Sequence, residues 1–511
     1  MHSRNLTWTS GIALAAILAV FAVFMVYPLF YAIKGAFMVN GEFSLEFFGL
    51  MFTNPVHREA IWNSTLVGLT VTAATTVVAL PVAFVMVRRE FPGRALFNGL
   101  LLVPMVMPPF VGAVGMQQLL ARYGSINLLL IKLGLMNEAA PYDWLGTGFW
   151  AVVVLEVLHL YPIMYLNVSA ALANVDPSLE EAAQNMGASG PRLFRTITMP
   201  LMMPGYFAGA IIVFIWAFTD LGTPLIFNYS RVVPVVIFDA VGDIHENPMG
   251  FAMVVLVLAL TVFFFLLSKK LLGAGSSHQM MSRGHVIGAQ KPMSGRFVPV
   301  AWLGLIVLVA FALLPHISVL LSSIADRWFM SVLPTAYTGK YYDAVFTHKL
   351  TISSIRNSFF LSSLSTVFDI VIGVGIAYLL ARKVFPGKDL LDALAMLPLV
   401  LPGLVLAFGY VGSFSGTFLD VKVNPMPLLV IAYAIRRLPY MIRAAYAGFQ
   451  QTSEALEEAS LNLGAGPART LRKITLPLVF ANIVAGAVLA FAFAMLEVSD
   501  SLILAFREEY Y

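Results

Sequence analysis

Long apolar segments separated by shorter polar ones dominate the chain. Eleven of them have about the 20 residues that an α-helix needs to cross the hydrocarbon core of a bilayer. The first six lie near residues 11–33, 61–87, 96–120, 148–172, 202–226 and 250–268. The other five lie near residues 297–321, 357–381, 391–415, 427–449 and 479–505. The pattern predicts an all-α polytopic membrane protein and not a barrel, whose strands would alternate over about ten residues.

The placement of basic residues predicts the orientation of the chain. Arginine and lysine mark cytoplasmic loops, and here they follow every second apolar segment. These residues are Arg88, Arg89, Arg94, Arg192, Arg195, Lys269, Lys270, Arg283, Lys291, Arg296, Arg382, Lys383, Lys388, Arg469, Arg472 and Lys473. The N-terminus is therefore predicted to be cytoplasmic. The run from Gly11 to about Ile33 is too long for a cleaved signal peptide, which stays the minor alternative.

Composition supports the membrane class. Of the 511 residues, 59% are apolar and only 11% are charged, whereas a soluble domain carries roughly 25% charged residues. The absence of cysteine excludes disulfides, thiolate metal sites and a cysteine nucleophile. The net charge of +4 is small, and we expect no nucleic-acid partner.

The chain contains two related halves. Matching residues lie 294 positions apart early in each half and 277 positions apart later, so the first half carries extra residues, most simply in the loop 121–147. Among the matched pairs are Asn63 and Asn357, Pro104 and Pro398, Pro108 and Pro402, and Gly115 and Gly409. Repeats of about six helices, an even number, predict two halves with parallel orientation.

The repeat divides the chain into three parts. We predict a first half at 1–268, a polar, Gly- and Ser-rich cytoplasmic linker at 269–296, and a second half at 297–511. At the offset of 277, Tyr511 corresponds to Pro234, so the sixth helix has no counterpart in the second half. We expect that a twelfth helix was truncated or lies outside this chain, with a native eleven-helix protein as the alternative.

A polar element occurs once in each half, at Leu179–Pro200 and at Leu456–Pro477. Asp176 and Ser453 stand where a helix N-cap is expected, acids follow in the first turns, and a glycine then suits a left-handed helix stop. Each loop, 173–200 or 450–477, is therefore predicted to be a short capped helix, a sharp turn and a second short helix. An ordinary helical hairpin explains one copy, but not two copies in register.

The repeated pattern E-A-A-x3-G-x9-I-x-L-P resembles the cytoplasmic loop of permease subunits of binding-protein-dependent ABC importers. The departures are Met199 in place of Leu and Ser460 in place of the second Ala. The resemblance implies that the loops dock on two copies of a cytoplasmic ATP-binding subunit in the bacterial inner membrane. It also implies that substrate arrives on a periplasmic binding protein. The coupling residues that it marks are Glu180, Glu181, Ala182, Ala183, Gly187, Ile197, Pro200, Glu457, Glu458, Ala459, Gly464, Ile474 and Pro477.

The chain has no nucleotide-binding motif of its own. Gly339-Lys340 and Gly387-Lys388 lack both the following Ser or Thr and the upstream Gly of a P-loop. We therefore predict that the chain is not an enzyme and binds no cofactor, with ATP and Mg²⁺ on the partner subunits. The metalloprotease and serine-hydrolase motifs are also absent from the sequence, which argues against a membrane-embedded enzyme.

Ionisable residues within spans are costly and are functional candidates. Those that are predicted to lie in a translocation path, or to pair between the halves, are Glu156, His159, Asp220, Arg436, Glu497 and Asp500. Pairing of Glu156 or His159 with Arg436 would hold the halves together. Asp220, Glu497 and Asp500 instead suit the outer mouth. No ligand set has useful metal spacing, so no metal site is assigned.

The stretch 432–450 resembles the equivalent stretch of fused ferric-iron permeases. Ferric iron is therefore the preferred substrate. Thiamine and 2-aminoethylphosphonate are alternatives, because fused permeases of this length also serve those solutes. A proton-coupled secondary transporter with Glu156, His159 and Asp220 as its relay is the alternative from another class.

Overall fold

The structure, a computed structural model, describes residues 8–39, 41–244, 248–279 and 291–505. Within these ranges seven helices are long and apolar enough to cross a membrane. Two bent helix pairs raise the number of candidate spans to nine. The prediction of an all-α polytopic fold is confirmed.

The helices before residue 280 follow the predicted segments and loops. They are α1 (Trp8–Phe21), α2 (Tyr27–Phe37), α3 (Glu46–Thr53), α4 (Pro55–Arg88), α5 (Arg94–Leu100), α6 (Pro109–Leu120), α7 (Ser125–Lys132), α8 (Phe149–Ala173), α9 (Pro177–Asn185), α10 (Gly190–Leu193), α11 (Met199–Thr219), α12 (Gly222–Ile226), α13 (Val233–Asp239) and α14 (Met249–Gln279). The helix α14 therefore enters the segment predicted as a linker, and residues 280–290 of that segment lie outside the described residues.

The helices after residue 290 repeat much of this order. They are α15 (Val298–Ile324), α16 (Lys340–Thr347), α17 (Lys349–Arg382), α18 (Lys388–Val400), α19 (Gly403–Phe414), α20 (Met426–Gln451), α21 (Glu454–Asn462), α22 (Pro467–Thr470), α23 (Leu476–Met495) and α24 (Ser499–Leu504). Short π-helical turns occupy Ala22–Val26, Phe194–Thr198 and Leu471–Thr475, and 3₁₀ turns occupy Val103–Met105 and Gly295–Phe297.

Strand pairing in the described residues is limited to short stretches. An antiparallel pair joins β1 (Met38–Val39) to β2 (Glu42–Phe43), and another joins β5 (Ala325–Arg327) to β6 (Ala336–Tyr337). A parallel pair joins β3 (Arg89–Glu90) to β4 (Lys291–Pro292). These pairs tie loops together and form no core.

The third and ninth predicted spans are broken helices. The segment Arg94–Met105 meets Pro109–Lys132 at 93°, and α18 meets α19 at 100°. Both breaks fall where Pro108 and Pro402 precede new helices. Proline lacks the N–H that would continue the first helix, and its fixed φ suits a helix start.

The described residues form two compact units, and each unit contains helices from both halves of the sequence. Unit 1 joins the residues up to Met51 and Ile237–Leu258 to those from Val345 onward. Unit 2 joins Phe52–Val236 to Ala259–Ala344. Helices α1 and α2 therefore pack with helices of the second half, and α15 packs with helices of the first. The packing units differ from the sequence halves 1–268 and 297–511, whose boundaries stay predictions.

Two glycines that match in the sequence make the same close contact in the two units. A Cβ atom on Gly409 would lie 2.9 Å from the carbonyl oxygen of Pro28, and one on Gly115 would lie 2.6 Å from that of Pro315. The hydroxyl of Ser318 donates to the carbonyl of Gly115 at 2.7 Å. Small residues of this kind let membrane helices approach closely. The matched glycines are thus explained by the packing of the exchanged helices.

Each unit has an equivalent three-helix centre. Helices α4, α8 and α11 pack together in unit 2, and α17, α20 and α23 pack together in unit 1. Each polar hairpin joins the second helix of its centre to the third. The fold therefore presents both hairpins in equivalent settings.

Candidate functional site

The first polar element is a capped helical hairpin. The carboxylate of Asp176 accepts a hydrogen bond at 2.8 Å from the backbone N–H of Ser178, at the start of α9. This bond holds the pKa of Asp176 below its ordinary value. The helix stops before Gly187, whose φ of 88° lies in the left-handed region that favours glycine. The predicted cap and stop are confirmed.

The second element repeats this geometry. The hydroxyl of Ser453 accepts a hydrogen bond at 3.3 Å from the backbone N–H of Ala455 and caps α21. Gly464 has a φ of 86°. Beyond the turn, the N–H of Ala465 donates to the carbonyl of Ser460 at 3.1 Å, which closes the helix end. The two hairpins therefore share the same cap, turn and helix end.

One carboxylate in each hairpin is an internal anchor. In the first, Glu180 accepts hydrogen bonds from Arg88 at 3.0 Å and from the hydroxyl of Thr198 at 2.7 Å. In the second, Glu457 accepts a hydrogen bond at 3.0 Å from Arg382. The Glu180 and Glu457 side chains are only 15% and 16% exposed. These anchors tie the hairpins to the ends of α4 and α17.

The arginine of the second anchor makes further contacts. The Arg382 guanidinium also donates to the carbonyl and the hydroxyl of Thr452, at 3.0 and 3.1 Å. Sequence reasoning treated Arg88 and Arg382 only as orientation markers. The signal that identifies them is their separation of 294 residues, the offset that relates the early parts of the halves.

The neighbouring carboxylates, Glu181 and Glu458, are exposed. Large apolar side chains are exposed at the C-terminal ends of the two helices, with Met186 82% exposed and Leu463 89% exposed. These two residues also match at an offset of 277, although they were not predicted as site residues. Of the remaining predicted positions, Ala183 is buried, Ile197 and Ile474 are half-buried, and Ala182, Ala459, Pro200 and Pro477 are exposed.

The structure brings two intramembrane acids of the first half together. The Thr223 hydroxyl donates to the buried carboxylate of Glu156 at 3.0 Å, and the Thr223 backbone N–H donates to Asp220 at 2.9 Å. One turn along α8, Nδ1 of His159 lies 3.3 Å from the carbonyl oxygen of Pro104, beside the broken span. Thr223 is thus the link that sequence reasoning missed.

The second half holds a buried ion-pair cluster. Arg436 donates to Glu497 at 2.7 Å and to Asp500 at 3.1 Å, and Arg437 also pairs with Glu497. All of these partners of Arg436 lie in unit 1. Pairing of Arg436 with Glu156 or His159 stays a prediction that these contacts do not support.

Asp369 is a further buried acid, in the middle of α17. Both of its carboxylate oxygens lack a hydrogen-bond partner among the described residues. Over the same residues, no group of three or more His, Asp or Glu could hold a metal ion.

Comparison with known proteins relates both repeats to one family. The family described as binding-protein-dependent transport system inner membrane component matches residues 75–274 and 370–505. Each match covers the last part of α4 or α17, the other two helices of that three-helix centre and one hairpin. The duplication predicted from the sequence is therefore confirmed.

Similar proteins are transport permeases. The ferric transport system permease protein FbpB of Actinobacillus pleuropneumoniae is 26% identical over 497 residues, 95% of this chain and 70% of that protein. The Fe(3+)-transport system permease protein FbpB 2 of Haemophilus influenzae is 23% identical over 498 residues, 96% of this chain and 89% of that protein. The molybdate/tungstate permease WtpB of Pyrococcus furiosus is 34% identical over 178 residues, 35% of this chain and 70% of WtpB. The chain belongs to the family of binding-protein-dependent transport system inner membrane components.

Proposed function

We propose that this ABC importer permease moves ferric iron from a periplasmic binding protein into the cytoplasm. Proteins of this family are transporter permease subunits, whose ATPase activity in general resides on partner subunits. In the proposed assembly, two copies of an ATP-binding subunit each take one hairpin. The N-terminus and both hairpins face the cytoplasm of a multi-pass inner-membrane protein.

The paired hairpins carry the coupling role. Each one holds one glutamate inside an anchor and presents the next, Glu181 or Glu458, to solvent. Each also exposes a large apolar side chain, Met186 or Leu463, at the end of its helix. An apolar centre with a charged rim is the composition that a protein–protein contact needs. Two such surfaces in one chain match a partner that is present twice.

The anchors provide a route for force. A push on a hairpin reaches α4 through the pair Glu180–Arg88, or α17 through the pair Glu457–Arg382. Each of these helices has 34 residues, so each is a lever roughly 50 Å long. ATP binding would close the partner subunits, draw the hairpins together and switch the halves between inward- and outward-open forms.

The choice of ferric iron is supported by the extent of similarity. Relatives named for ferric transport match 95–96% of this chain, whereas WtpB and the Escherichia coli molybdenum permease ModB match 35% and 41%. Acids also outnumber bases among the buried charged residues that the structure describes. They are three acids, Glu156, Asp369 and Asp500, and one base, Lys383. An acidic excess favours a cation over an oxyanion.

Docking is tested by Glu181→Arg combined with Glu458→Arg. Reversing both exposed charges should abolish uptake and co-purification of the ATP-binding subunit, while membrane insertion stays normal. The matched control is Glu42→Arg combined with Glu138→Arg, two exposed acids in loops predicted to lie on the other side of the membrane. Normal uptake by the hairpin variant, or equal loss in the control, contradicts the docking role.

The substrate is tested separately in the reconstituted complex. ATPase activity is measured with a binding protein loaded with ferric iron, molybdate, thiamine or 2-aminoethylphosphonate. Stimulation by the ferric form alone supports the proposal. Stimulation by the form loaded with another solute would identify that solute as the substrate instead. Uptake that collapses with an uncoupler but survives ATP depletion would instead support a proton-coupled secondary transporter.

A further inference from the structure

Unit 1 contains an apolar groove between α17 and α23. Its volume is about 610 Å³. The residues that line it are Ile370, Val371, Val374, Leu476, Pro477, Phe480 and Ile483, with Arg472 among them as the one charged residue. Val371 and Phe480 are exposed, so the groove opens on the outer surface of these two helices. Both helices meet the length and composition for crossing a membrane, so an exposed apolar groove on them suits contact with lipid.

The corresponding place in the first half is bridged by a hydrogen bond. The repeat matches Ile370 to Thr76 at the offset of 294, and Ile483 to Tyr206 at the offset of 277. The hydroxyls of Thr76 and Tyr206 lie 3.2 Å apart and join α4 to α11 by a hydrogen bond. Two isoleucines form no such bond and lack the reach of a tyrosine ring. The groove in the second half therefore lies where the bond that joins the two helices of the first half is missing.

One end of the groove is basic. Arg472 is exposed and forms no ion pair with any described residue. Lys473 follows it, and Arg469 lies one turn before it in the same loop. A basic cluster where a span meets the cytoplasmic surface attracts anionic lipid head groups. The wall beyond Arg472 is wholly apolar, which suits an acyl chain and excludes a polar solute.

The length of the groove matches one leaflet. Arg472 and Ile483 are eleven positions apart along one helical stretch, which corresponds to about 16 Å at a rise of 1.5 Å per residue. Half of the roughly 30 Å hydrocarbon core is about 15 Å. A head group on Arg472 would thus place a lipid tail along the whole apolar wall.

We propose that this groove binds one anionic phospholipid, with its phosphate on Arg472 and an acyl chain between Ile370 and Ile483. The choice of the cytoplasmic leaflet rests on the proposed function, which places the hairpins in the cytoplasm. Pro477, the last residue of the second polar element, forms part of the wall. The lipid therefore touches the junction through which the second hairpin moves α23.

The test measures lipid retention by the purified full chain. Native mass spectrometry is carried out in mild detergent with added phosphatidylglycerol or phosphatidylcholine of equal chain length. Wild-type protein should retain phosphatidylglycerol preferentially. Arg472→Gln should lower the bound fraction about fivefold, the effect of one basic residue at a membrane surface. The matched control, Arg195→Gln, lies at the equivalent position of the first half and should change retention less than twofold.

A second variant tests the apolar wall. Ile370→Thr with Ile483→Tyr copies the hydrogen-bonded pair of the first half and fills the groove, so it should abolish retention while Arg472 stays in place. Unchanged retention in this variant or in Arg472→Gln would overturn the proposal, as would equal loss in Arg195→Gln. Displacement of the lipid by millimolar inorganic phosphate would reassign the site to a free anion. No transport is measured, so this test and that of the hairpin glutamates fail independently.

Discussion

Removal of the Arg382 side chain should loosen the second hairpin more than removal of Arg88 loosens the first. Arg382 donates to Glu457 and to two oxygen atoms of Thr452, whereas the hydrogen bond of Arg88 to its hairpin goes to Glu180. After loss of Arg88, Glu180 still accepts a hydrogen bond from the hydroxyl of Thr198. The substitution Arg382→Gln therefore removes more hydrogen bonds to the hairpin than Arg88→Gln does, and fewer hydrogen bonds remain afterwards.

The magnitude follows from these contacts. A hydrogen bond to a charged group contributes about 1.5–3 kcal/mol, and partial exposure of Glu457 reduces the value of the ion pair. We expect Arg382→Gln to lower the free energy of local opening of α21 by about 2–3 kcal/mol. This corresponds to amide exchange that is roughly 30- to 150-fold faster. For Arg88→Gln we expect about 1–2 kcal/mol in α9, or roughly 5- to 30-fold.

Hydrogen exchange measured by mass spectrometry on the full chain provides the assay. Peptides that cover residues 453–466 report on the second hairpin, and those that cover 176–189 report on the first. Arg443→Gln is the control, because its pair with Asp392 is about half exposed and should contribute little. The anchor would be refuted if amide exchange in α21 changed less than twofold in Arg382→Gln. It would also be refuted if Arg443→Gln changed that exchange as much as Arg382→Gln does.

Two further outcomes follow from the same structure. Gly464→Ala should lower uptake and raise exchange in the second hairpin, because a Cβ atom at a φ of 86° costs about 1 kcal/mol in backbone strain although it meets no neighbour. Gly466→Ala, with a φ of −71° and equal space, should have a smaller effect because it adds no left-handed strain, and equal effects would contradict this reasoning. Asp369→Leu should raise the midpoint of thermal unfolding by a few degrees, because it removes a buried carboxylate without a hydrogen-bond partner among the described residues. A lowered midpoint would show that Asp369 has a stabilising partner.

Patterns along the chain were sufficient for the helical class, the duplication and both hairpins. The hairpins could be predicted because their determinants are local. An N-cap such as Asp176 and a left-handed glycine such as Gly187 act within a few residues of the helix ends that they define. The offsets of 294 and 277 also hold in three dimensions, since matched residues such as Gly115 and Gly409 make matched contacts.

Tertiary structure decided which residues meet. The exchange of α1, α2 and α15 between the two sequence halves depends on packing against segments that are distant along the chain. The same is true of the partners of Arg88, Glu156 and Arg436, which are 92, 67 and 61 residues or more away along the chain. Sequence periodicity reports the face of a helix but not the neighbour that covers it. Local backbone features could therefore be predicted from the sequence alone. Ion pairs, close glycine contacts and the groove beside Arg472 depend on how the helices pack together.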